Sequence, residues 1–201
     1  MRKAAKLLDA AGWHIEDGRR VNAAGQIFEL EFLTFSPTFE RVYAPIVRNL
    51  KKLGIGATIR VVDSAQYANR MQEFDFDVTT TAFGGQTTPG VGERNFWGSE
   101  AAKSTGSINY PGINDAVVDD LVARIAAAET RSELETAARA LDRVLLWNQY
   151  VVPQWFRAFH PIAYWDRFSR PPTKPKYGLG FLDTWWHDAD KAARLAAKAK
   201  R

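Results

Sequence analysis

Between residues 27 and 83 the hydrophobic pattern switches repeatedly between the period of a strand and the period of a helix. Residues 27–35, IFELEFLTF, are apolar and β-prone, with Glu29 and Glu31 on one side of the alternation. Ser36-Pro37 has the character of a helix start, a hydroxyl followed by proline at the first helical position. Phe39, Val42, Tyr43, Ile46, Val47, Leu50 and Leu53 then recur at helical spacing, and Gly54 closes the run. An interior proline costs about 3 kcal/mol, so Pro45 argues for a helix beginning near Tyr43 after a looser turn. Residues 57–63 form a second expected strand, 64–73 a short helix and 76–83 a third strand. Strand, helix, strand, helix, strand with crossovers of this length predicts parallel neighbours in an α/β sheet.

The flanks are simpler. Residues 2–12 are expected to be helical, with Ala4, Leu7, Leu8 and Ala11 on one face, followed by turn signals at Asp17-Gly18 and Gly25. Asn114 is the expected cap of a helix whose apolar face holds Val117, Val118, Leu121, Val122 and Ile125. Thr130 and Glu133 have capping-box spacing ahead of Leu134, Leu141, Val144 and Leu145. Residues 151–156 read as a strand continuing beyond Pro161, PPTKPK as a loop, and the stretch from Asp183 onward as a helix.

Composition narrows the function. The net charge is +4, and five basic residues lie in the last stretch, KAARLAAKAKR. No basic stripe runs through the rest, so nucleic acid is not an expected partner. The absence of cysteine removes disulfides, thiolate catalysis and cysteine zinc sites. No apolar run reaches the roughly 18 residues that cross a bilayer. The N-terminal stretch, interrupted by Asp9, does not read as a signal peptide, and an exported parent would carry its signal upstream.

No catalytic constellation stands out. His14, His160 and His187 are scattered, and no metal site or cofactor is expected. The glycines at 84, 85, 90 and 92 lack both the G-K-[ST] and the G-x-G-x-x-G contexts of phosphate loops. Asp75 and Asp77 offer a catalytic pair on paper, and a small α/β hydrolase or transferase using them is the alternative reading. A partner-binding domain without chemistry is a third.

The stretch DVTTTAFGGQTTPGVGERNFWGS points elsewhere. In open parallel sheets, ligands sit beyond the carboxyl ends of the strands. The loop leaving residue 83 occupies such an end. Its glycines admit close approach, Gln86 and the threonine hydroxyls can hydrogen-bond without charge, and Phe83 and Trp97 can supply an apolar wall.

Several stretches, AAKLLDAAGW, DGRRVNAAGQIFELEF, LKKLGI, DSAQYANRMQEFDFDV and NYPGINDAVVDDLV, together resemble the C-terminal half of the family 5 extracellular solute-binding proteins. PGVGERNFWGS and DTWWHDADK resemble its YejA-like branch. The resemblance implies the C-terminal lobe of a type II periplasmic binding protein, an α/β fold with a mostly parallel sheet flanked by helices. It implies a periplasmic, non-enzymatic receptor for a peptide or peptide-like solute, serving an ABC permease. Residues 1–170 would be that lobe, and 171–201 would pack on an N-terminal lobe absent from this sequence, making the chain a fragment. The implied ligand-facing positions are Arg70, Phe83, Gly84, Gly85, Gln86, Thr87 and Asn109, beside Trp97 from the loop argument. Peptide binders of the family often carry an aspartate in this loop for the α-amino group. Gln86 stands here without an acid, so that anchor is missing.

Overall fold

A computed structural model describes residues 1–84, 88–176 and 178–199. The chain divides into two compact units, Met1–Val152 and Pro153–Arg201. The larger unit begins with α1 (Arg2–Ala10), the antiparallel pair β1 (His14–Glu16) and β2 (Arg19–Val21), and then β3 (Glu29–Thr34). A turn of 3-10 helix at Pro37–Phe39 leads into α2 (Glu40–Lys51), β4 (Gly56–Val61), α3 (Ser64–Gln72) and β5 (Val78–Thr79). These strands form a parallel sheet in the order β4-β3-β5, as the alternating pattern predicts.

β3 is the middle strand. It pairs with β4 over its whole length, from Glu29 opposite Gly56 to Thr34 opposite Val61. β5 pairs with it only at Phe32–Val78 and Leu33–Thr79. The third strand is therefore much shorter than residues 76–83 suggest. At its start the Asp77 carboxylate accepts the Glu31 amide at 2.8 Å, replacing a backbone partner. At its end β3 has already stopped at Thr34 and turned toward Pro37, leaving the residues after Thr80 without a strand to join.

α2 covers the sheet by burying Tyr43 and Val47 against Phe32 and Ala57. It runs from Glu40 straight through Pro45, not from Tyr43 as the proline suggested. Burial of this face offsets the lost backbone hydrogen bond. The looser turn does exist, but it is confined to residues 37–39. α3 is capped by Asp63, whose carboxylate accepts from the amides of Ala65 and Gln66 at 2.9 Å.

Buried Arg20 joins three segments. It donates to the Asp9 carboxylate, to the Trp13 carbonyl at 2.7 Å and to the Leu53 carbonyl at 2.9 Å. α1 ends at Ala10, and Leu7 is exposed, not packed as expected.

α4 (Glu93–Trp97), α5 (Ala116–Ala127) and α6 (Arg131–Trp147) complete the unit. Val118, Val122 and Ile125 of α5 pack with Ala137 and Leu141 of α6, joined at the edge by Leu121, Leu134, Val144 and Leu145. The capping box is present: Thr130 accepts from Glu133 N, and Glu133 accepts from Thr130 N. The Thr130 amide, with the Glu129 amide and the Thr130 hydroxyl, holds the Glu133 carboxyl below its usual range. Two expectations fail here. Asp115, not Asn114, caps α5, because its carboxylate reaches the Val117 amide at 2.8 Å. Val117 is 56% exposed, turned out of the core that its neighbour Val118 enters.

The smaller unit holds β6 (Phe168–Ser169), α7 (Phe181–Thr184), β7 (Trp186–His187) and α8 (Ala189–Ala199), with β6 and β7 antiparallel. The expected continuous C-terminal helix is interrupted by β7. Residues 151–156 form no strand. Pro153 lacks a donor, and Val152, Trp155 and Phe156 are exposed, so no sheet face holds the run in register.

Leu33 is fully buried on the middle strand. Leu33→Ala should lower the unfolding free energy by about 2–5 kcal/mol in urea titration, by loss of burial and by the void left behind.

Candidate functional site at the carboxyl edge of the sheet

The carboxyl ends of the three strands present a band of hydroxyls and rings. Thr79 ends β5. Its hydroxyl reaches the Leu33 carbonyl at 3.2 Å and lies 2.9 Å from the Tyr67 hydroxyl on α3. Next along, Tyr43 of α2 donates to Thr80 at 2.7 Å. Burial raises the Tyr43 pKa, although the bond to Thr80 works the other way. Phe35, just past β3 and 53% exposed, lies against Tyr67 with ring centres 4.9 Å apart.

A second aromatic group stands where the chain leaves this edge. Phe83 contacts Trp97 at 4.9 Å and Phe96 at 6.2 Å between ring centres. The rings are half-buried, and such tilted contacts suit the charge distribution of aromatic faces. Trp97 is fixed at both ends. Its indole donates to Glu93 at 3.0 Å, and its ring packs on the α5–α6 core. Gly84 follows Phe83 in the open, with nothing within 4 Å of a built Cβ. Gly85, Gln86 and Thr87 lie outside the described residues.

The structure thus brings Phe83, Gly84 and Trp97 together. Arg70 and Asn109 are engaged inside the protein. Arg70 lies 2.9 Å from a Glu31 carboxylate oxygen and 2.8 Å from one of Asp75, and it also donates to the Asp75 carbonyl. Burial opposes its charge, but the two carboxylates outweigh burial and hold the guanidinium protonated more firmly than usual. Asn109 is fully buried. Its amide nitrogen donates to the carbonyls of Gly98 and Ile113 at 3.0 and 2.9 Å, and its oxygen accepts from Ile113 N at 3.0 Å. It thereby ties the end of α4, which carries Trp97, to the turn before α5.

The two aspartates of the enzymatic alternative are also in use. Asp75 pairs with Arg70, and Asp77 accepts from Glu31 N. Among the described residues no group of three or more His, Cys, Asp or Glu is placed to hold a metal ion.

Phe35, Tyr67 and the Thr79–Thr80 pair belong to this edge but do not stand out in the sequence. Their periodicity assigns them to strand and helix. The run of three threonines at 79–81 is the one local signal.

The family description "Bacterial extracellular solute-binding proteins, family 5 Middle" matches residues 1–105, more than half of the chain. The chain belongs to this family. Its curated relatives are much longer than it is. The chain is 50% identical over 187 residues to the probable peptide-binding protein YejA of Agrobacterium fabrum, a match covering 92% of the chain and 30% of that protein. It is 40% identical over 201 residues to the uncharacterized protein YejA of Escherichia coli, covering 99% of the chain and 33% of the relative. Among solved structures, the oligopeptide-binding protein AppA of Bacillus subtilis, in complex with a nonapeptide, superposes with a TM-score of 0.65 at 20% identity. That match covers 74% of this chain and 30% of AppA. The fold is therefore that of the type II periplasmic binding proteins, and this family 5 chain spans about a third of its relatives' length.

Replacing Asn109 separates bracing from ligand contact. Asn109→Ala removes the partners of the Ile113 N–H and carbonyl, while the Gly98 carbonyl keeps the Ala101 and Ala102 amides, and each buried group so orphaned costs about 1–3 kcal/mol. The chain should lose at least that much stability in denaturant titration with no ligand present. An unchanged midpoint would contradict the bracing role.

Proposed function

We propose that this chain is the ligand-capturing C-terminal lobe of a periplasmic receptor, which takes up peptides or peptide-like solutes and delivers them to an ABC permease. The observation that carries this reading is the half-buried Phe83 followed by the open Gly84 at the carboxyl edge of a parallel sheet, backed by the Phe96–Trp97 pair. The half-identical relative named as a probable peptide-binding protein supplies the solute class. The Gly84–Thr87 loop and the Phe83–Trp97 wall contact the solute. Arg70 and Asn109 act from behind, by holding the loop's surroundings in place.

A lobe offers half of a binding surface. Receptors of this kind gain affinity by closing two lobes on the ligand about a hinge. Residues 171–201 pack on the second lobe in the longer protein. Leu182 and Trp186, 83% and 52% exposed here, are the side chains that such packing would cover. The reaction is binding and release, with no bond made or broken.

In isothermal calorimetry, short peptides should show no measurable affinity for this 201-residue chain and clear saturable binding to the two-lobed protein. Micromolar binding by the chain alone would refute the shared-cleft account.

Gln86 is the sharper probe of the loop. Its side chain offers a neutral hydrogen bond, worth about 0.5–1.5 kcal/mol, so Gln86→Ala in the two-lobed protein should weaken peptide binding roughly two- to tenfold. The melting temperature without ligand should hardly move. A variant that binds normally but melts many degrees lower would assign Gln86 to the scaffold instead.

A further inference from the structure

Beside the carboxyl edge, between α3 and the segment around residues 106–110, lies a cavity of about 350 Å³. Its size falls at the small end of ligand sites, which run from about 300 to 1,000 Å³. Met71, only 6% exposed, and Ala68 give it apolar surface. The rings of Tyr67 and Tyr110 also line it, and Tyr110 is steadied by an edge contact with Phe76 at 6.4 Å. The Gly106 amide donates to the Gln72 carbonyl at 2.9 Å, which ties the far segment to the end of α3.

The polar groups are what give this cavity a chemical preference. The Tyr67 hydroxyl is engaged with Thr79. The Gln72 amide, the Thr81 hydroxyl and the Tyr110 hydroxyl have no hydrogen-bond partner among the described residues, and all three residues line the cavity. None of the lining residues is Asp, Glu, Lys or Arg. Of the charges flanking the lining stretch of α3, Arg70 is committed to Glu31 and Asp75, and Glu73 follows Gln72 at the exposed C-cap. The cavity thus has an apolar floor, two aromatic walls, and free donors and acceptors without a charge.

The geometry points to a side-chain subsite for an uncharged, flat polar group, a phenol or a carboxamide, on the solute. This rests on the receptor reading above and adds the specificity of one ligand position. A neutral ring or amide stacks on Tyr67 or Tyr110 and finds partners in Gln72, Thr81 and the Tyr110 hydroxyl. An ammonium or carboxylate entering the same space gives up water without meeting an opposite charge, and that costs affinity. Thr81 places the cavity two residues before Phe83, so a solute lying on the aromatic turn has this pocket within reach.

The chain contains two methionines, Met1 and Met71, so its methyl-carbon NMR spectrum has one reporter in the cavity and one terminal control. The probes are p-cresol and propionamide as neutral groups, with n-butylammonium and propionate as charged ones. p-Cresol should shift the Met71 methyl saturably in the millimolar range and leave Met1 unmoved, and propionamide should act more weakly. The charged probes should bind at least about tenfold more weakly than p-cresol. Ala68→Trp, at an exposed position, should fill the cavity and abolish the p-cresol shift. Gln72→Glu, also exposed, should admit n-butylammonium, which gives a second variant whose readout is a gain. The proposal falls if p-cresol leaves Met71 in place, if the charged probes match it, or if neither variant alters the response. Peptide binding by the two-lobed protein is scored separately. Its loss with the p-cresol response intact removes the peptide reading alone. A silent Met71 with peptide binding intact removes the subsite alone.

Discussion

The larger unit leans on one strand. β3 is hydrogen-bonded along both edges, and it carries Leu33 in full burial. Its partner on one side matches it residue for residue, while the one on the other side joins for two residues and departs. That inequality makes the candidate site. Because β3 stops at Thr34, the chain beyond Thr80 has no strand to follow and runs out over the edge with Thr81, Ala82 and Gly84 exposed. The threonine hydroxyls at this point are taken up by tyrosines from two helices, so α2 and α3 are both fastened to the place where pairing ends. The aromatic turn is held from the other side by the helical part, through Trp97 and the Asn109 bridge.

The sequence made the alternation of strand and helix readable because β3, β4, α2 and α3 each carry their own period. The capping box at Thr130 and Glu133 was readable for a similar reason, since both partners lie within one turn. What failed depended on distant partners. The length of β5 is set by where β3 stops and by the Asp77 carboxylate bonding across to Glu31. Residues 151–156 have the composition of a strand but nothing to pair with. Pro45 misled because its local cost is plain, whereas the compensating burial of Tyr43 and Val47 is tertiary. The site divides in the same way. Phe83 and Trp97 were visible as aromatics beside a glycine loop. The bracing by Asn109 and the Tyr67–Thr79 contact join segments that no local pattern connects.

The smaller unit carries less of its own support. Trp155, Phe156, Phe159 and Trp165 are all more than 60% exposed. Arg157, Arg167 and Arg170 lie over aromatic rings at 5.4–5.9 Å from the ring centres, contacts that form without enclosure by a core. Forty-odd residues bury little of their surface alone. These exposed aromatics lie at residues 155–165, ahead of the 171–201 segment proposed to pack on another lobe.

The connectivity also has a kinetic side. Every pairing in the parallel sheet joins residues far apart along the chain, Glu29 with Gly56 and Phe32 with Val78. Closing such long loops costs entropy before any contact repays it, and this slows assembly. α5 and α6 follow one another with a three-residue link, and their shared core is assembled from near neighbours. The helical hairpin should therefore become ordered early, with the sheet, and the edge it exposes, forming last. Pulse-labelled hydrogen exchange would show this order directly, with amides of α5 and α6 protected ahead of those of β3.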